Sequence, residues 1–156
     1  MSQPTAILFV CLGNICRSPM AEAILQQKLV DRGLDHLFTV DSAGTADYHS
    51  GEWPDRRTLQ VLEENGVKFK SRARKVSAAD FQKFDHIIAM DHANARDLLL
   101  VLTKHADRVT LCQSWNPNAT LSEVPDPYYG DISDFRNVYE MLDVATDEIL
   151  LTLQKN

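Results

Sequence analysis

The stretch Thr5-Ala6-Ile7-Leu8-Phe9-Val10-Cys11-Leu12-Gly13-Asn14-Ile15-Cys16-Arg17-Ser18-Pro19 decides the fold of this chain. Thr5 to Val10 form a continuous apolar run, the pattern of a strand covered on both faces in a parallel sheet. A tight loop containing Gly13 follows, and then a helix start. Ser18 is expected to cap, Pro19 suits the first helical position, and Glu22 complements the dipole in the first turn. Ala23, Leu25, Leu29 and Val30 supply an apolar helix face, and Gly33 is placed to stop it. Strand, loop and helix N-terminus together make an anion cradle, because successive backbone N–H groups converge where the helix dipole is positive.

Working outward, Leu37 to Ser42 reads as a second strand. A loop with Gly44, Gly51 and Pro54 leads to a helix from about Asp55 to Asn65, closed by Gly66. Ser77 with Asp80 resembles a capping box before a short helix. Ile87-Ile88-Ala89-Met90 reads as a buried strand, with Asp91 capping a helix that runs to about Thr103. Arg108 to Cys112 is the fourth strand. Residues 116–130 contain three prolines and are expected to be loop. From Ser133 to Gln154, Phe135, Val138, Leu142, Ala145 and Ile149 recur at helical spacing. Strands alternating with helices predict a single-domain, three-layer α/β/α fold over residues 1–156. Its central sheet is mostly four-stranded and parallel, with an anion-binding loop after the first strand. Ligands bind such folds at the carboxyl ends of strands, which is where Cys11 to Ser18 lies.

The chain has 156 residues, enough for one domain with a proper core. Apolar residues at 44% and charged residues at 24% disfavour disorder and fibrous folds. Sixteen Lys and Arg against 22 Asp and Glu give a net charge of −6. That offers no broad basic field to a nucleic acid or an anionic membrane, but it leaves a local cationic pocket open. Three cysteines do not suit a disulfide-stapled secreted domain, so a cytoplasmic setting is expected. The apolar runs Ala6–Val10 and Leu98–Leu102 are too short for a signal peptide or a membrane span. A monomer or weak homo-oligomer is the expected state.

The chemistry centres on Cys11, six positions before Arg17. A thiol at a helix N-terminus beside an arginine favours the thiolate, which is the nucleophilic form. Inside an anion cradle it is aimed at whatever anion binds, and for a phosphate monoester that means attack on phosphorus. Arg17 supplies a planar fork able to take two phosphoryl oxygens at once, which lysine could not match. The other phosphate loop, the Walker pattern, needs a second glycine followed by lysine, and neither is present. In the plainer alternative, Cys11 is a small buried residue at a strand end and Arg17 a surface charge.

The segment Val10 to Pro19 resembles the signature of the low-molecular-weight protein tyrosine phosphatases. The likeness continues through Asp41-Ser42-Ala43-Gly44, Met90-Asp91 with Asn94, Asp126-Pro127-Tyr128-Tyr129-Gly130 and the long final helix. The resemblance implies hydrolysis of phosphotyrosine and aryl phosphate monoesters through a phosphocysteine on Cys11. Arg17 and the backbone of Leu12, Gly13, Asn14, Ile15, Cys16, Arg17 and Ser18 would hold the phosphate. Ser18 would donate to the Cys11 sulfur, and Asp126 would be general acid and then base. Sequence spacing alone could not pair Asp126 with Cys11; the family pattern does so. The implied partners are a tyrosine-phosphorylated protein or a small aryl phosphate, with inorganic phosphate as product and no cofactor.

Supporting residues carry two readings each. Asn14 and Ser42 fix the loop in the family; equally, Asn14 could simply tolerate a left-handed backbone. Asp91 is a helix cap first, with a family-implied part in the same support. Tyr128 would stack on the substrate ring, with Tyr48 on the opposite wall and Trp53 as its competitor, while Tyr129 belongs near the rim. Cys16 is either the partner of a reversible disulfide with Cys11 or a buried structural thiol. Cys112 is expected to be inert. His36, His49, His86, His92 and His105 show no ligand spacing, read as surface or structural, and give no metal site. Two other functions fit the loop. An arsenate reductase would need a relay of further cysteines, and only Cys112 remains. A non-catalytic phosphotyrosine-binding module would have no need of Asp126.

Overall fold

The computed structural model describes residues 3–69, 71–101 and 104–154. Strand β1 (Thr5–Cys11) pairs in parallel with β2 (Phe38–Gly44) on one side and β3 (His86–Ala89) on the other. Strand β4 (Val109–Leu111) joins beyond β3, giving the order β2-β1-β3-β4. The register sets Cys11 opposite Gly44 and Val10 opposite Ala89. The expected four-stranded parallel sheet is therefore present, with β1 at its interior.

That position explains the apolar run. Ile7, Phe9 and Cys11 face a core shared with α1 (Arg17–Asp31), α2 (Arg56–Glu64) and α5 (Ile132–Gln154). Ala6, Leu8 and Val10 face the opposite core, with Phe81 of α3 (Asp80–Lys83), the adjoining Phe84, and Leu98 of α4 (His92–Val101). A strand covered on both faces has no polar positions to spend. Each fully buried aliphatic or Phe side chain contributes roughly 1.5–3 kcal/mol, so both layers draw heavily on this one strand.

The start of α1 differs from expectation. The helix begins at Arg17, Ser18 lies inside it, and the capping position falls to Cys16, whose side chain makes no cap bond. Pro19 is the third helical residue instead of the first, still within the turn whose N–H groups have no intrahelical partner. The first turn holds no acidic residue. Glu22 lies beyond it and turns to β2, accepting the Ser42 hydroxyl at 2.6 Å. Ser18 does not cap because its hydroxyl is engaged by Cys11 and Asn14, so the helix starts without a side-chain cap bond.

Elsewhere the differences are small. Asp55 caps α2 by accepting the Arg57 N–H at 2.8 Å. Only the acidic half of the Ser77–Asp80 box forms: Asp80 accepts the Ser77 N–H at 2.7 Å, while α3 starts at Asp80 itself. Asp91 and Asn94 cap α4 reciprocally, with N–H to Oδ1 distances of 2.8 and 3.2 Å. The expected continuation of that helix to Thr103 lies outside the described residues. The fourth strand is shorter than expected and gives way to a 3-10 turn over Cys112–Trp115. Among the described residues, no helix is long and apolar enough to cross a membrane.

Candidate active site

The site forms where β1 and β2 end and α1 begins. A Cβ built on Gly44 would lie 2.7 Å from the Leu12 carbonyl oxygen and 3.2 Å from the Asn14 nitrogen, so the loop after β1 folds against a position that only glycine can fill. The loop is pinned through its carbonyl groups. Thr45 N–H donates to Cys11 O at 2.9 Å, Ala46 N–H to Leu12 O at 3.0 Å, and Asp55 N–H to Ile15 O at 2.8 Å.

Asn14 sits at the bend with φ +56°. Its Nδ2 donates to Ser18 Oγ at 2.8 Å and to Ser42 Oγ at 2.9 Å, and its Oδ1 accepts the Arg74 N–H at 3.0 Å. Both readings of this residue thus hold together: a left-handed backbone and a three-bond clamp. Cys11 Sγ lies 3.0 Å from Ser18 Oγ. Asn14 already donates to that oxygen, so the hydroxyl's own hydrogen is left to point at the sulfur; the other acceptor in reach is Ala43 O at 3.4 Å.

Arg17 is a charged side chain only 2% exposed. Its Nη1 donates to Asp91 Oδ2 at 2.6 Å and to the Val124 carbonyl at 2.9 Å, so Asp91 both caps α4 and holds the arginine. Nη2 lies 3.7 Å from Asp126 Oδ2. Nε is buried and, among the described residues, has no hydrogen-bond partner. Burial opposes the charge, but Cys11, Asp91 and Asp126 more than offset it, and the guanidinium pKa is raised.

Cys11, Arg17 and Asp126 line a cleft of about 250 Å³ together with Leu12, Gly13, Ile15, Cys16, Tyr48, His49, Tyr128 and Tyr129. Tyr48 is on its wall, whereas Trp53 is not and instead lies under the Arg72 guanidinium, 4.4 Å from ring centre to Cζ. Tyr129 is 94% exposed, at the outer edge, with its ring edge-on to Tyr128 at 4.9 Å between centroids. Cys16 is a free, buried thiol pushed well above the ordinary cysteine range, first by burial and then by Asp55, Cys11 and Asp126. Cys112 is fully buried, and burial raises it to about 12.

Three residues were not legible as part of this neighbourhood. His49, read as surface or structural, lines the cleft: its Cδ2 would lie 3.0 Å from a Cβ on Gly13, and its ring is 6.3 Å from Tyr128. Glu22 joins Ser42 behind the loop and has its pKa raised to about 7. Burial is the main cause and Asp41 adds to it, while the Ser42 hydrogen bond and Arg74 oppose it. Arg57 binds the carbonyls of Tyr128 and Gly130. Adjacency to Tyr48 is the only signal that could have flagged His49.

Residues 6–156 match the family model described as low molecular weight phosphotyrosine protein phosphatase. The chain belongs to this family. A low molecular weight phosphotyrosine protein phosphatase of Schizosaccharomyces pombe is 44% identical over 144 residues, covering 91% of this chain and 92% of its own. Among solved structures, a protein tyrosine phosphatase from Entamoeba histolytica superposes with a TM-score of 0.92 at 36% identity, covering 97% of each chain. An arginine phosphatase from Drosophila superposes at 0.88 with 35% identity, covering 95% of this chain and 97% of its own. The family fold thus spans essentially the whole chain, and Cys11, Arg17 and Asp126 meet at its cleft, with Ser18 buried behind the Cys11 sulfur.

Proposed function

We propose that the chain is a metal-independent protein tyrosine phosphatase, hydrolysing phosphotyrosine and aryl phosphate monoesters through a phosphocysteine on Cys11. The observation that carries this reading is the buried Arg17 Nε, which has no partner among the described residues and belongs to the same cleft as the Cys11 sulfur. A buried, unsatisfied donor costs about 1–3 kcal/mol, and a phosphoryl oxygen seated there would recover it. Because the described hydrogen bonds that tie down the loop run through its carbonyls, its N–H groups remain for the other phosphoryl oxygens.

The Cys11 thiolate attacks phosphorus as the ester P–O bond breaks. Asp126, protonated, delivers its hydrogen to the departing phenolate oxygen. Arg17 and the loop amides hold the equatorial oxygens while charge redistributes. In the second step Asp126, now a carboxylate, takes a proton from water, whose oxygen displaces the thiolate from phosphorus and releases inorganic phosphate. Ser18 donates to the departing sulfur. The aromatic walls, Tyr128 and Tyr48, fit an aryl ester. Cys16 is the reserve for oxidative damage: its thiol condenses with a Cys11 sulfenic acid, giving a disulfide and water. The low cysteine count remains the argument for a cytoplasmic setting, and the buried Cys112 argues against a cysteine relay for arsenate.

The test is an assay in chelator on aryl and alkyl phosphates, comparing wild type with Cys11→Ser and Asp126→Ala. Cys11→Ser should abolish turnover, and full activity in that variant would sink the mechanism. Asp126→Ala should lose about 10²–10⁴-fold on esters with poor leaving groups and far less on good ones. The nucleophile and the acid must hold opposite protonation states, so a rate rising steadily to about pH 9 would contradict the pairing. Phosphoarginine belongs in the same assay, since faster turnover of it than of phosphotyrosine would redirect the substrate assignment.

A further inference from the structure

Asp126 reaches the cleft on a loop with no helix or strand between Leu111 and Ile132 beyond one 3-10 turn. Val124 anchors its near end by donating to Met90 O at 2.9 Å. Past Asp126, the Tyr128 N–H bonds Asp126 Oδ1 at 3.1 Å and the Gly130 N–H bonds Pro127 O at 2.9 Å. Those two bonds shape the turn without tying it to anything else.

Arg57, in the first turn of α2, supplies the tie. Its Nη2 donates to the Tyr128 carbonyl at 2.9 Å and its Nη1 to the Gly130 carbonyl at 3.0 Å. Nε and Nη2 each reach an Asp55 oxygen at 3.0 Å, and the guanidinium lies 4.2 Å over the Phe135 ring of α5. Four of the five guanidinium donors are thereby used. Asp55 in turn donates its N–H to Ile15 O in the phosphate loop at 2.8 Å. A continuous connection therefore runs from the nucleophile's loop through Ile15, Asp55 and Arg57 to the two carbonyls that follow Asp126.

We propose that Arg57 is the positioning residue of the general acid, setting the distance between the Asp126 carboxyl and the Cys11 loop. The assignment rests on the phosphatase reading above. Arginine is required because one rigid fork must satisfy a carboxylate and two carbonyls in different directions; a lysine ammonium is a single point charge and cannot hold all three at this geometry. Arg57 does not line the cleft and touches no reacting atom, so its loss reaches the chemistry through the turn that carries Asp126 and Tyr128.

The experiment compares Arg57→Ala, Arg57→Lys, Asp126→Ala and the Arg57→Ala/Asp126→Ala double variant. Each is assayed in the full chain on two aryl phosphates, one with a good and one with a poor leaving group. Arg57→Ala should lower kcat on the poor leaving group by about 10–100-fold and on the good one by less than about threefold. In the Asp126→Ala background the same substitution should cost less than about threefold on either ester. Arg57→Lys should fall between wild type and Arg57→Ala. Inhibition by inorganic phosphate should be unchanged, because the Asp55 N–H still holds the Ile15 carbonyl of the cradle.

Equal slowing on both esters, or undiminished slowing in the Asp126→Ala background, would overturn the proposal. So would a proportional loss of phosphate inhibition, which would mark collapse of the phosphate loop. If Arg57→Ala does not fold, Arg57→Lys carries the same comparisons in both backgrounds. A wild-type chain inactive on both esters would instead overturn the phosphatase reading, a result distinguishable from any of these.

Discussion

A left-handed backbone at Asn14 (φ +56°) and its three side-chain bonds make separable demands on one residue. For a residue with a Cβ, the left-handed region costs roughly 1–2 kcal/mol, and asparagine bears that cost better than most. Asn14→Gly should relieve the backbone cost while losing every side-chain bond; Asn14→Ala should suffer both. Both variants should therefore turn over slowly, with Asn14→Gly the more stable by about 1 kcal/mol in urea unfolding. Equal midpoints would mean that the backbone conformation carries no cost. At this scale the sequence was informative about type and silent about partner. Cys11, Arg17 and Ser18 are close enough in the chain for their convergence to be read. Asp126, more than a hundred residues on, was placed by family resemblance, and Glu22, His49 and Arg57 enter through tertiary contacts that no local pattern encodes.

Among the elements, β1 was the most legible because its composition answers to both neighbouring layers at once. The start of α1 was the least legible. Ser18-Pro19 carries ordinary helix-start signals, yet Ser18 serves Cys11, and the helix opens two residues earlier with no side-chain cap. A functional demand displaced a local preference, and the displacement leaves the helix end open to an anion. The end of β2 makes a sharper demand. Adding a methyl at Gly44 would bring it within 2.7 Å of the Leu12 carbonyl and 3.1 Å of the Ala46 carbonyl, both main chain and unable to swing aside. Gly44→Ala should therefore destabilise the fold by about 1–3 kcal/mol and distort the loop, seen as weaker phosphate inhibition. Wild-type phosphate affinity in that variant would show that the loop can shift without harm.

Over the whole molecule, Glu22 links stability to pH. Its folded pKa of about 7 stands above the ordinary 4.5 because the carboxyl is buried, with Asp41 adding to the effect and Ser42 and Arg74 only partly offsetting it. Between these values the unfolded chain has released the proton while the folded chain retains it. Stability from this group is therefore complete below about pH 4.5 and is lost as pH rises through about 7. Glu22→Gln should remove that decline: relative to wild type, its urea midpoint should gain between about pH 5 and pH 8. Parallel curves over that range would refute the linkage. The net charge of −6 masks this local pattern, as it masks the Arg17 cation at the cleft. Arg17 Nε is buried and, among the described residues, has no hydrogen-bond partner, so an anion seated in the cleft meets a donor already stripped of water. Under the phosphatase reading, inorganic phosphate meets the same donor as the ester it comes from. On that reading, what grips the ester also grips the product, and phosphate competes with its own source.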